Sequence, residues 1–224
     1  MSTRTVSPPA PRRHNGGMEA RVKSSVAPGW SPAARAPSLL TPAGLELILG
    51  CMFSGKTTEL LRRIRAAEPG AVGVYKHSID DRYRRDAVVA HTFDAVPAQP
   101  VDGAETLRQR ILTNRERLIA VDEAHFFDDA LVDVCGRLSH QGYALVLTAL
   151  DRDSWGRPFP LIERLRTIST RVTVVHAICA RCGALADRTQ RTTPIIDDYM
   201  VGGPESYEPR CAACWRPPPA NAGD

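Results

Sequence analysis

Eight residues, Gly50-Cys51-Met52-Phe53-Ser54-Gly55-Lys56-Thr57, fit the pattern G-x-x-x-x-G-K-[S/T] at every constrained position. In such a loop, backbone N–H groups converge on a polyphosphate. A lysine ammonium, here Lys56, reaches the β- and γ-phosphates, and a hydroxyl, here Thr57, holds Mg²⁺. A second centre is Asp122-Glu123, placed directly after the apolar run Leu118-Ile119-Ala120-Val121. An aspartate ending such a strand orders Mg²⁺ through its waters. Glu123 has two readings: it can orient a water, which makes an ATPase, or take a proton from a bound hydroxyl, which makes a kinase. The string Asp122-Glu123-Ala124-His125 also spells the DEAH box of helicases, an alternative reading. Those helicases need two α/β cores, and the chain between the loop and its C-terminal cysteines has room for one. A third centre is Cys179-x-x-Cys182, then 28 intervening residues, then Cys211-x-x-Cys214. Two such pairs are the tetrahedral thiolate set of structural Zn²⁺, which would clamp the base of a long loop. The competing reading is four incidental buried cysteines. Cys51 and Cys135 have no partner spacing and read as ordinary thiols.

These residues need elements to hold them. Leu45 to Leu49 reads as a buried strand entering the loop, and Leu60, Leu61 and Ile64 recur at helical spacing after it. That helix runs to about Ala67, where Glu68-Pro69-Gly70 stops it. Ala71 to Lys76 reads as a second strand, followed by a charged loop from Asp80 to Asp86. Thr106 to Arg117 reads as a helix with Leu107, Ile111 and Leu112 inward. After the Leu118–Val121 strand come a helix from Asp129 to Leu138, a strand from Tyr143 to Leu150, a helix from Leu161 to Ile168 and a strand from Arg171 to Ile178. Alternating strands and helices predict an α/β fold of the P-loop NTPase (RecA-like) kind. Its mostly parallel sheet carries helices on both faces, with a small C-terminal zinc-ribbon domain appended.

A chain of 224 residues with 43% hydrophobic composition can bury a substantial core. No apolar run is long enough for a transmembrane helix. The N-terminus has no apolar signal core, and paired C-x-x-C spacing favours metal over disulfides, so the expected compartment is the reducing cytoplasm. Residues 1–43 hold seven of the 18 prolines and no apolar periodicity, and read as a disordered extension. They also carry six basic residues against Glu19 alone, which accounts for the net charge of +4 and leaves the body nearly neutral. Residues 44–178 then form the α/β domain, 179–215 the zinc-binding domain and 216–224 a flexible tail. With Asp197, Asp198, Glu205 and Glu208 in and beside the long loop, no specific nucleic-acid partner is expected.

From Leu45 to Trp215 the chain resembles the type II, zinc-containing thymidine kinases. Gly50 to Glu59 resembles their phosphate loop, and Asp80-Asp81-Arg82-Tyr83 their aspartate-x-arginine-tyrosine loop. Asp122-Glu123 with Phe126-Phe127 resembles the acidic pair whose glutamate is the catalytic base. Leu150-Asp151 through Pro158-Phe159 resembles the segment lining the thymine pocket. Met200-Val201-Gly202-Gly203 to Tyr207 resembles the lasso loop that closes over the nucleoside between the cysteine pairs. Two departures stand out: His125 replaces the usual Gln, and Ser154 with Trp155 occupies the place of a pocket Phe.

The resemblance implies an ATP:thymidine 5′-phosphotransferase of nucleotide salvage, with deoxyuridine as a further substrate. Catalysis falls to Glu123, Lys56 and Arg82. Mg·ATP falls to the loop from Gly50 through Cys51, Met52, Phe53, Ser54 and Gly55 to Lys56 and Thr57, with Asp80, Asp122 and His125. The nucleoside falls to Met52, Phe126, Trp155, Phe159, Thr189, Met200, Val201, Gly202 and Tyr207, and structural Zn²⁺ to Cys179, Cys182, Cys211 and Cys214. A homotetramer, feedback inhibition by dTTP and a cytoplasmic location are also implied.

Overall fold

The computed structural model describes residues 43–68, 70–80, 86–90, 94–193 and 205–218. Arg82, Met200, Val201 and Gly202, and nearly all of the two expected tails, lie outside them.

The leucine-rich run forms β1 (Gly44–Leu49), buried throughout. The phosphate loop leads into α1 (Lys56–Arg65), and β2 (Val72–His77) follows. Residues 87–101, for which the sequence pattern gives no expectation, hold a hairpin of β3 (Ala87–Val89) and β4 (Ala95–Pro97), then β5 (Gln99–Val101). Next come α2 (Ala104–Thr113), β6 (Leu118–Asp122), α3 (Ala130–His140) and β7 (Ala144–Ala149). The chain continues through α4 (Pro160–Ile168) and β8 (Arg171–Val174). The C-terminal part is two antiparallel pairs. β9 (Ala177–Ile178) pairs with β10 (Leu185–Ala186), and β11 (Arg188–Arg191) with β12 (Tyr207–Arg210).

Among the described residues, six strands make one sheet in the order β5-β2-β6-β7-β1-β8, parallel at every pairing. The two-residue side-chain period sends alternate residues to opposite faces. Leu45, Leu47, Leu145 and Leu147 face α2, α3 and α4 through Leu107, Ile111, Leu131, Leu138 and Leu165. Ile48, Val74, Ala120 and Val146 face α1 and the β3–β4 region through Leu60, Leu61, Val88 and Ala98. Each such buried Leu, Ile or Val side chain contributes about 1.5–3 kcal/mol. The α/β reading with helices on both faces therefore holds.

Two boundaries differ from the sequence reading. α2 begins at Ala104 and ends at Thr113, and its buried face is Ala104, Leu107 and Ile111. Leu112 lies a further 100° round from Ile111, so it is 44% exposed rather than inward. The expected strand from Arg171 to Ile178 divides in two. Val175 N still donates to Leu49 O at 2.8 Å, but the chain then leaves the sheet to pair Ala177 and Ile178 with β10. Among the described residues no helix is long and apolar enough to cross a membrane.

Candidate active site

The phosphate loop is built by close approach and unusual backbone angles. A Cβ on Gly50 would lie 2.3 Å from Val175 O and 2.6 Å from Ser54 Oγ, so the position admits glycine alone. Gly55 has φ 86°, which glycine adopts without strain, and Phe53 is also left-handed at φ 63°. The Cys51 carbonyl accepts from Ser54 Oγ at 2.8 Å and from Lys56 Nζ at 2.9 Å. That holds the ammonium of Lys56 across the loop. The helix begins at Lys56, with Glu59 N donating to Gly55 O at 2.9 Å, so its first N–H groups and dipole face the loop.

The carboxylates arrive from a strand one removed in the sheet. β7 lies between β1, which carries the loop, and β6, which carries Asp122. Thr57 Oγ1 sits 3.3 Å from Asp122 Oδ1 and 3.4 Å from Oδ2, closing the distance between the two halves. Glu123 follows in the left-handed conformation at φ 52° and ψ 49°, which costs a non-glycine residue about 1–3 kcal/mol. A solvent-open cleft is lined by Met52, Phe53, Gly55, Lys56, Thr57, Thr58 and Glu123. Lys56, Thr57 and Glu123 thus share one cleft, with Asp122 against Thr57.

Two residues of this region are not legible from motifs. Thr148, at the end of β7, donates its hydroxyl to Asp122 Oδ1 and accepts from Glu123 N at 3.1 Å. Lys76 is the register partner of Asp122 on β2, and its buried ammonium lies 3.2 Å from Asp80 Oδ2 and 3.4 Å from Ala87 O. A buried ammonium is tolerable when paired in this way, and the pair anchors Asp80 at the start of the charged loop. The signal for both was a polar residue inside a largely apolar strand.

Among the described residues, His125 and Thr189 adjoin this centre. His125 accepts from Leu150 N at 3.3 Å through Nδ1, which lies 3.5 Å from Glu123 Oε2. Its ring stacks on Phe126 at 4.3 Å and Phe159 at 5.1 Å. His125 thus stands behind Glu123, outside the residues lining the cleft. Thr189 accepts at its hydroxyl from Met52 N at 3.0 Å, so it touches the phosphate loop itself. Trp155 lies under the Arg157 guanidinium, 4.8 Å from the ring centroid, in a turn organised by Asp153. Tyr207 is buried at the start of β12, paired with Arg191.

Cys179, Cys182, Cys211 and Cys214 place their sulfurs within 4.8 Å of one another. Burial works to raise the Cys179 pKa, but backbone N–H groups of Cys211, Arg181 and Cys182 outweigh it and bring the thiol down to about 6. Cys214 goes the other way, up to about 12, through hydrogen bonds with Cys182 and Cys211 and the burial that follows them. Sulfurs this close ionise together only around a cation, so the donor set fits a tetrahedral metal site. Cys51, Ala177, Cys179 and Ala186 pack as one small core with Cys211 and Cys214.

The parallel sheet, the glycine loop after β1 and the aspartate ending β6 define a P-loop protein of the α/β class that binds nucleotides. A family model described as thymidine kinase matches residues 43–215. The thymidine kinase of Rhodothermus sp. (strain ITI 518) is 41% identical over 176 residues, 78% of this chain and 82% of that protein. That of Bacteroides thetaiotaomicron is 38% identical over 173 residues, 76% of this chain and 86% of its own. The chain belongs to the thymidine kinase family. Among solved structures, the ATPase DotB of Legionella pneumophila is similar over 59% of this chain and 36% of its own, at 17% identity and a TM-score of 0.39, too slight a likeness to carry an argument. The helicase reading of residues 122–125 gains nothing from these relatives.

Proposed function

We propose that this chain transfers the γ-phosphoryl group of ATP to the 5′-hydroxyl of thymidine, giving dTMP and ADP, with deoxyuridine as a second acceptor. The observation that carries the reading is the shared cleft. Glu123 lines the same opening as Lys56 and Thr57, next to the aspartate that meets Thr57. Lys56 balances charge on the β- and γ-phosphates, and the N–H groups of the loop hold the remaining oxygens. Thr57 and Asp122 are the pair that would hold Mg²⁺, which neutralises the transferring group when bound. Glu123 accepts the 5′-proton as that oxygen attacks phosphorus. Arg82 is proposed to add positive charge at the same centre, and Asp80, tied to Lys76, to hold its loop. Met52, Phe126, Phe159 and Tyr207, with Met200, Val201 and Gly202 of the lasso, are proposed to enclose the nucleoside, Trp155 and Thr189 standing at its border.

The four cysteines are proposed to hold structural Zn²⁺, and family membership supports a homotetramer, dTTP feedback and a cytoplasmic place in nucleotide salvage. The test is [γ-³²P]ATP incubated with thymidine, deoxyuridine, deoxycytidine or DNA, followed by product chromatography. Labelled dTMP is the expected product. Acceptor-independent or DNA-stimulated release of phosphate, with no labelled nucleotide, would overturn the assignment.

A further inference from the structure

We propose that Thr148 is a positioning residue that sets both acidic groups of the site through one hydroxyl. It is the penultimate residue of β7, the strand lying between the phosphate-loop strand β1 and the aspartate strand β6. Its neighbours Leu145, Val146, Leu147 and Ala149 are apolar and buried, and Thr148 itself is fully buried at 0% exposure. A hydroxyl in such a strand must find its partners inside the protein. Thr148 uses both of its capacities. As a donor it fixes Asp122 Oδ1, on the carboxylate that also meets Thr57 Oγ1. As an acceptor it takes the Glu123 N–H at 3.1 Å, at the residue whose backbone turns left-handed. Val146 and Ala120 face α1, and the two-residue period puts Thr148 and Asp122 on that same face, beneath the loop. The hydroxyl therefore selects the carboxylate orientation that Mg²⁺ coordination needs and the backbone turn that aims Glu123 into the cleft.

This assignment rests on the proposed kinase reading only for its catalytic consequence; the metal-orienting part stands alone. Thr148→Val keeps the branched shape and removes the hydroxyl, Thr148→Ala removes it with less bulk, and Thr148→Ser keeps it. Mn²⁺ is titrated into the ADP-bound full chain and free Mn²⁺ is followed by electron paramagnetic resonance. The Mn²⁺ Kd is expected to rise about tenfold in the Val and Ala variants, the usual scale for a group that orients a ligand. It should return to within about twofold of the starting protein in the Ser variant, while metal-free ADP affinity stays unchanged in all three. At saturating Mn²⁺ the kcat for thymidine should still fall about tenfold or more in the Val and Ala variants, because Glu123 is no longer held. An unchanged Mn²⁺ Kd in folded Val and Ala variants would overturn the proposal, as would failure of Ser to restore it. Loss of folding in both variants would place the hydroxyl's role in stability and overturn it equally. If the unaltered chain phosphorylates no nucleoside, the kinase reading falls while the Mn²⁺ titration still decides on Thr148.

Discussion

Glu123 sits where few glutamates sit, in a left-handed turn directly after the strand that delivers Asp122. That conformation is retained at a cost, and the return is a carboxylate facing the cleft beside Lys56 and Thr57. Glu123→Gln keeps the shape and a hydrogen bond to a hydroxyl but cannot take the proton. The expected loss is about 10²–10⁴-fold in kcat, the worth of a positioned base. In barrier terms that is roughly 3–5 kcal/mol. Mg·ATP affinity should stay put, because Lys56, Thr57 and Asp122 are untouched. Lys56→Ala should contrast, weakening Mg·ATP binding and transfer together. Single-turnover kinetics with labelled ATP check both, and an activity of Glu123→Gln within threefold of the unaltered chain would remove Glu123 from the role of base.

α1 is tied to the sheet beneath it by charge as well as by apolar packing. The nearly buried Arg63 meets Glu46 of β1 and, at 2.8 Å, Glu59; Arg62 meets Glu59 at 2.7 Å. Burial works to raise the Glu59 pKa, but hydrogen bonds from Arg62 and Arg63 outweigh it and hold the carboxyl below its usual value. A lowered folded-state pKa gives stability that is present above the unfolded value, about 4.3, and is lost as pH falls through the folded one. Glu59→Gln should therefore cost about 1–2 kcal/mol at pH 7, with the gap closing below pH 4 as the native carboxyl is protonated. Urea unfolding at pH 7 and at pH 3 reads this, and an equal gap at both would refute it. Elements of this length were legible in the sequence. β1, β6 and β7 each carry four or more apolar residues, α1 carries Leu60, Leu61 and Ile64 at helical spacing, and Lys56, Thr57, Asp122 and Glu123 are marked by where those runs begin or end. The three-residue strands β3, β4 and β5 are too short for any period to register, so a sheet edge went unseen. Thr148 and Lys76 escaped because each is a buried polar residue in a largely apolar strand. Whether such a residue has a partner depends on the strand beside it, which the sequence alone does not order.

At the scale of the whole molecule the four cysteines reach further than the loop they frame. Their spacing suggests a clamp at the base of the long loop, which by resemblance closes over the nucleoside. In the structure, Cys51 Sγ of the phosphate loop donates to Ala186 O at 3.5 Å, and Met52 N donates to Thr189 Oγ1 at 3.0 Å. Cys51 also shares a small core with Cys179 and Ala186, against which Cys211 and Cys214 pack. On another side, the Trp215 ring lies 3.2 Å from where a Cβ on Gly156 would be, in the turn that carries Trp155. The cysteine segment thus braces both the phosphate loop and the 151–158 turn. With Zn²⁺ as the proposed occupant, binding on the order of 10 kcal/mol would appear largely as folding energy of that segment. Stripping the metal, or making Cys182→Ser, should then weaken Mg·ATP binding as well as thymidine binding, by about tenfold or more, the scale on which a shell supporting a site acts. Elemental analysis should give one Zn²⁺ per chain beforehand, and titration calorimetry with each substrate reads the two affinities afterwards. Thymidine affinity falling alone, with Mg·ATP untouched after the metal is gone, would show that the contacts at Cys51 and Met52 transmit nothing and that the cysteines brace only the nucleoside side.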